Sequence, residues 1–186
     1  MRDTAVNGKS VMWRSMALSS KSLVMGAILG SAGIQAAWGD WAEFQGPKRF
    51  GVSPEKNLAD QWPSGGPREM WQIDVGVGFG GTSVREGLVY FLDRQQDQRD
   101  VLRCLDLETG AEKWSYEHSV AGRVDFSGTR CKPTVDEEQV YAMAMMGQLY
   151  CVNRANGKEV WKLEVHKTFG APPPALLWVL PVTAFV

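Results

Sequence analysis

Short apolar runs separated by glycine-bearing turns fill the middle of the chain, and they come in two matching sets. The first set covers residues 81–84, 88–92, 101–107 and 113–118; the second covers 132–135, 139–145, 148–153 and 159–165. Each run is too short for a helix and rich in Val, Leu, Tyr or Trp, which predicts strands. Turn chemistry separates them at Arg85-Glu86-Gly87, Glu108-Thr109-Gly110 and Ala155-Asn156-Gly157, and the Gly ending each of the latter two permits the positive φ such hairpins require. Superposed on itself, the chain aligns Leu102, Cys104, Gly110 and Trp114 with Leu149, Cys151, Gly157 and Trp161 at a constant offset of 47. Upstream, Val84, Val89 and Tyr90 align with Val135, Val140 and Tyr141 at an offset of 51. The extra four residues fall in the polar stretch at 93–100, which reads as a solvated turn.

Four antiparallel strands in a repeat of this length are one blade of a β-propeller. A partial copy precedes them, because Trp71 and its neighbours at 67–75 resemble the run around Trp161. The expected fold is therefore all-β, about two four-stranded antiparallel blades plus one outer strand, spanning 67–170. Propellers close with about four to eight blades, so the ring is expected to be incomplete and the chain to be an N-terminal fragment.

The ends of the chain differ from its middle. Arg2, Lys9, Arg14 and Lys21 precede a twelve-residue apolar run at 23–34, and small residues Ala37 and Gly39 lie just before Asp40. That is the pattern of an export signal over 1–39, too short to span a bilayer. No Cys follows the run, which argues against a lipid-anchored lipoprotein. The mature protein is expected in the periplasm or outside the cell. Residues 40–66 read as an extended N-terminal segment. Residues 171–186 form an irregular apolar tail without a charged residue, where the repeat stops.

Composition narrows the partners. A net charge of −1 from 20 basic and 21 acidic residues offers no field for nucleic acid or an anionic membrane. Three cysteines cannot all pair within one chain, so at least one stays free or pairs with another chain. Cys104 and Cys151 hold equivalent positions in successive repeats, too far apart for a disulfide, and read as small buried hydrophobes. Cys131 precedes an innermost strand and is a candidate to face the axis. His118 and His166 read as repeat-equivalent strand ends, and Met143, Met145 and Met146 as core. The run at 76–81 has the glycine content of a phosphate-cradling loop, but no helix follows it, which excludes that reading.

Asp106, Thr109, Gly110 and Trp114 match the Asp-x-x-Thr-Gly-x-x-x-Trp signature of the pyrroloquinoline quinone (PQQ) repeat, and the chain resembles that propeller family. The second copy keeps Gly157 and Trp161 but carries Asn153 and Asn156 for Asp and Thr. The segment at 41–51, with Trp41, Phe44, Pro47 and Gly51, followed by Ser53 and Pro54, is similar to the mature N-terminus of secreted members. In that family the signature is a tryptophan-docking motif. The resemblance thus implies that Trp71, Trp114 and Trp161, in equivalent outer-strand positions, pack over turns such as those of Gly110 and Gly157 in a neighbouring blade. Family members include quinone-dependent dehydrogenases, with adjacent cysteines and calcium ligands, and an outer-membrane assembly lipoprotein that uses no quinone. No two cysteines are adjacent here, and no residue maps onto the calcium ligands or the base.

The expectation is a non-catalytic binding or scaffold module, with no catalytic, cofactor or metal residue assigned. Its partner would be a protein or small molecule on the propeller axis. The alternative is a PQQ- and calcium-dependent dehydrogenase of alcohols or polyvinyl alcohol. Loops leading into innermost strands rim the axis, which nominates Arg123, Asp125 and Arg130 for recognition. The competing reading of these three is a surface or inter-blade ion pair.

Overall fold

In the computed structural model, residues 39–122 and 126–170 are described. Eight strands form two separate sheets, each an antiparallel meander in chain order. The first contains β1 (Ser83–Arg85), β2 (Leu88–Gln95), β3 (Arg99–Asp106) and β4 (Glu112–Ser119). The second contains β5 (Thr134–Val135), β6 (Gln139–Met143), β7 (Gln148–Asn153) and β8 (Glu159–Glu164), followed by the one-turn helix α1 (Val165–Thr168). Neither sheet closes on itself. These are two four-stranded antiparallel blades, each running from a short inner strand to an outer one.

The core lies between the sheets. Alternation along β2 and β3 turns Tyr90, Leu92, Leu102 and Cys104 to one face, against Val135, Val140, Ala142, Tyr150 and Val152 of the second sheet. Tyr116 of β4 and Tyr150 of β7 tilt against each other with centroids 5.1 Å apart. All three cysteines are free and buried, Cys104 and Cys151 completely. Burial pushes each thiol up to about 11, which keeps it protonated at neutral pH.

The signature residues build the β3–β4 turn. Asp106 Oδ1 accepts from the Glu108 and Thr109 N–H groups at 3.1 and 3.0 Å and from the Thr109 hydroxyl at 2.9 Å. These bonds, the hydroxyl's above all, hold the Asp106 carboxyl down at about 2. In the second sheet Asn153 Oδ1 accepts from Ala155 N–H at 3.0 Å, and Asn156 Oδ1 from Lys158 N–H at 3.0 Å. An amide oxygen can take the carboxylate's place in this turn, here with one bond where Asp106 accepts three, so the softened motif still closes it.

Each turn receives an indole from the preceding repeat. Trp71 Nε1 donates to Leu107 O at 2.8 Å and Trp114 Nε1 to Arg154 O at 2.9 Å. Their rings lie where a Cβ on Gly110 or Gly157 would sit 2.7 or 2.6 Å away, and both glycines have φ near +70° (71 and 69). Just before Trp114 and Trp161, one extra residue (Lys113 or Val160) shifts the ladder, between Cys104 and Leu105 in one sheet and Cys151 and Val152 in the other. Such bulges add twist and re-aim the side chain that follows.

Most strand ends shift by one to three residues from expectation, and four differences change the reading. The polar stretch at 93–100 is mostly strand, paired through Gln95 and Arg99, because its buried charges neutralise one another across the ladder. Strand β6 ends at Met143, and β8 gives way to α1 at Val165, so His166 lies on a helix. The outer strand expected at 67–75 makes no ladder, since among the described residues no inner strand stands beside it. The leader at 1–39, apart from Gly39, and the tail at 171–186 lie outside the described residues.

Candidate binding rim at one end of the sheets

The β2–β3 and β6–β7 hairpins share one end of the molecule with the segments that lead into β1 and β5. Residues 76–80 thread between the end of β2 and residues 129–131. Val77 exchanges two backbone bonds of 2.8 Å with Arg94, and Phe79 N–H donates to Thr129 O at 2.7 Å. The fit leaves no room on one side of this thread. A Cβ on Gly76 would lie 2.2 Å from Arg94 O, and one on Gly80 2.3 Å from Cys131 O. Gly78 is nearly as tight, at 3.0 Å from Leu92 O. The alternate residues point outward, Val77 at 54% and Phe79 at 62% exposure.

Arg130 completes the outer surface. Its guanidinium stands 5.4 Å from the Phe79 ring centroid and donates to Phe126 O at 2.8 Å and Gly128 O at 3.2 Å. Phe126 beside it is 80% exposed. Arg123 and Asp125 lie outside the described residues. Arg130 therefore sits on an aromatic ring and its own loop carbonyls, and presents its remaining surface at the rim.

Beneath the rim is a buried polar network. The Arg94 guanidinium bonds Asp100 Oδ1 at 2.6 Å and the carbonyls of Asp97, Val120 and Gly122 at 3.0, 2.9 and 2.6 Å. Asp100 Oδ2 accepts from Met145 N–H at 2.7 Å and so ties the first sheet to the second. Asp93 accepts from Gly76 N–H at 2.5 Å and from Arg103 Nε at 3.1 Å. Apart from Arg94 Nε, which has no hydrogen-bond partner among the described residues, the groups of this buried pair are bonded, and such a pair fixes geometry more than it adds net stability. The hydrophobic patterning hid this network, since charges in a predicted turn read as solvated. The alternation of Gly76, Gly78 and Gly80 was the one signal in the sequence, and it points to the tight thread rather than to the charges beneath it.

The same carboxylates bear on cofactors. Among the described residues no three His, Cys, Asp or Glu side chains are grouped to hold a metal ion. Asp93 and Asp100 are spent on guanidinium and amide groups. Among the described residues, no helix is long and apolar enough to cross a membrane.

Two repeat-related blades, with a rigidly backed rim at one end, define a propeller-type repeat module. The family model described as outer membrane protein assembly factor BamB matches residues 55–173, and the chain belongs to this family of PQQ-like repeat proteins. No curated protein matches the chain.

Proposed function

We propose that this protein is an exported, non-catalytic binding module that holds a protein segment against its rim. The observation that carries the reading is the exposed group Val77, Phe79 and Phe126 around the ring-stacked Arg130, on loops fixed by Arg94 and Asp100. Exposed aromatic and arginine side chains on a rigid frame are the composition of binding hot spots. The family description, an assembly factor for outer membrane proteins, supports a protein as the ligand.

A photo-crosslinking residue placed at Phe79 or Phe126, with Phe50 (79% exposed) as the off-rim control, tests the reading in a Gram-negative host. Discrete adducts are expected from the rim positions alone, and Arg130→Glu should abolish them. Equal labelling from Phe50, or PQQ- and calcium-dependent dye-linked alcohol oxidation by the purified protein, would overturn the proposal. Export predicts a mature N-terminus at or near Asp40, and periplasmic protein retaining Met1 would refute it.

A further inference from the structure

The inner strands β1 and β5 are joined directly, the Ser83 hydroxyl donating to Pro133 O. The seam they form is filled by the chain's own residues 40–42. Trp41 N–H donates to Val84 O at 2.8 Å, and Val84 N–H returns a bond to Trp41 O at 3.3 Å, as in an antiparallel pair. On the other side, Val135 N–H donates to Ala42 O at 3.2 Å. Asp40 Oδ1 accepts from Glu86 N–H at 2.9 Å, in the turn after β1. Ala42 packs against the shared core. Lys132 Nζ then bonds Trp41 O at 3.0 Å and Thr82 O at 2.6 Å, latching the segment to the first sheet.

An inner edge of this kind offers main-chain donors and acceptors to whatever strand lies along it. Main-chain bonds supply affinity and side-chain contacts supply selectivity. The resident strand is thinly held. Three backbone bonds secure it, two of them longer than 3 Å, and the chain turns away at once through Gly46 N–H on Glu43 O. Contacts this sparse open locally, without global unfolding. The Trp41 ring lies over its own Gly46, where a Cβ would be 2.7 Å away, so the middle residue meets the seam through its backbone.

We infer that the β1–β5 seam is a strand-accepting site for an extended peptide carrying an acid, a free choice of residue and a small residue in succession, filled in the resting chain by Asp40, Trp41 and Ala42. The acid caps the Glu86 N–H, and the small residue fits against the core. This site is separate from the rim and does not depend on it.

The probe is a fluorescein-labelled heptapeptide with the sequence of residues 40–46, added to the full chain and to the full chain carrying Asp40→Ala and Ala42→Glu. The variant, its own strand weakened, should bind the peptide at least tenfold more tightly than wild type. A peptide with Trp in place of its Ala should not bind. Hydrogen exchange on the unaltered chain decides the matter even where the variant does not fold. The Val84 and Val135 amides should exchange together, at least a hundredfold faster than amides at the centre of β3. Exchange of those two amides only at the global unfolding rate, or equal peptide binding by a folded variant and wild type, would overturn the inference.

Discussion

Replacing Gly157 by Ala should destabilise the protein by about 5 kcal/mol, and the contributions can be separated. Gly157 has φ +69°, where an L-residue costs about 1–2 kcal/mol. Its new Cβ would lie 2.6 Å from Cε3 of Trp114, which cannot be tolerated, so the ring must leave. Displacement breaks the indole bond to Arg154 O, worth about 1 kcal/mol net. It also re-exposes part of a ring that buries roughly 200 Å², and half of that at 25 cal/mol per Å² is about 2.5 kcal/mol. Gly51→Ala is the control, because Gly51 has φ +70° and nothing within 4 Å of the added Cβ. It should cost only the backbone strain. Urea unfolding followed by far-ultraviolet circular dichroism avoids tryptophan signals that the substitution itself alters. With a slope of about 2 kcal/mol per M, the two variants should differ in midpoint by over 1 M. A cycle with Trp114→Ala isolates the ring, since without it Gly157→Ala should cost no more than the control. Equal midpoints for the two glycine variants, or a coupling below about 0.5 kcal/mol, would show that the ring does not require the glycine.

Three further outcomes follow from the same geometry. Because the Asp106 carboxyl is held at about 2 against an ordinary 3.8, its contribution is complete above pH 4 and is lost as pH falls toward 2; Asp106→Asn should lack this acid-dependent loss in urea titrations, and an unchanged pH profile would contradict it. Arg94→Met leaves Asp100 buried without its cation and should cost about 3–5 kcal/mol, whereas a loss under 1 kcal/mol in thermal or urea unfolding would refute the network's role. A thiol reagent at pH 8 should modify none of the buried cysteines Cys104, Cys131 and Cys151 in the native protein, and all of them in denaturant; rapid native labelling of any would count against their burial.

The blades were legible because each depended on local periodicity. Tyr90 and Leu92 alternate in period two, the turn residues stand at fixed offsets, and Gly110 and Gly157 recur one repeat apart. The far end of the β2–β3 hairpin was not, because Asp93, Arg94 and Asp100 are hydrophilic by composition and buried only through their pairing with Gly76, Arg103 and each other. That is a tertiary fact with no local periodicity. Likewise Trp41 read as the start of an extended segment, and nothing in the pattern announced its pairing with Val84, forty-three residues on. Of the nominated residues, Arg130 was singled out by its place before an innermost strand. Phe79 and Phe126 carried no chemical signal beyond being aromatic.

The thread at 76–80 divides its labour by parity. Gly76, Gly78 and Gly80 face backbone on one side, while Val77 and Phe79 face outward, cover Gly128 of the opposite loop and, at Phe79, seat the Arg130 guanidinium. Substitution at the odd positions alters what the rim displays and touches only Gly128 and Arg130 of the opposite loop, whereas substitution at the even ones breaks the backbone fit beneath it. A surface of this kind resembles a loop grafted on an antibody framework in one respect. Its recognition can drift, or be redesigned, at little thermodynamic penalty, so stability and specificity can be selected almost independently along five consecutive residues.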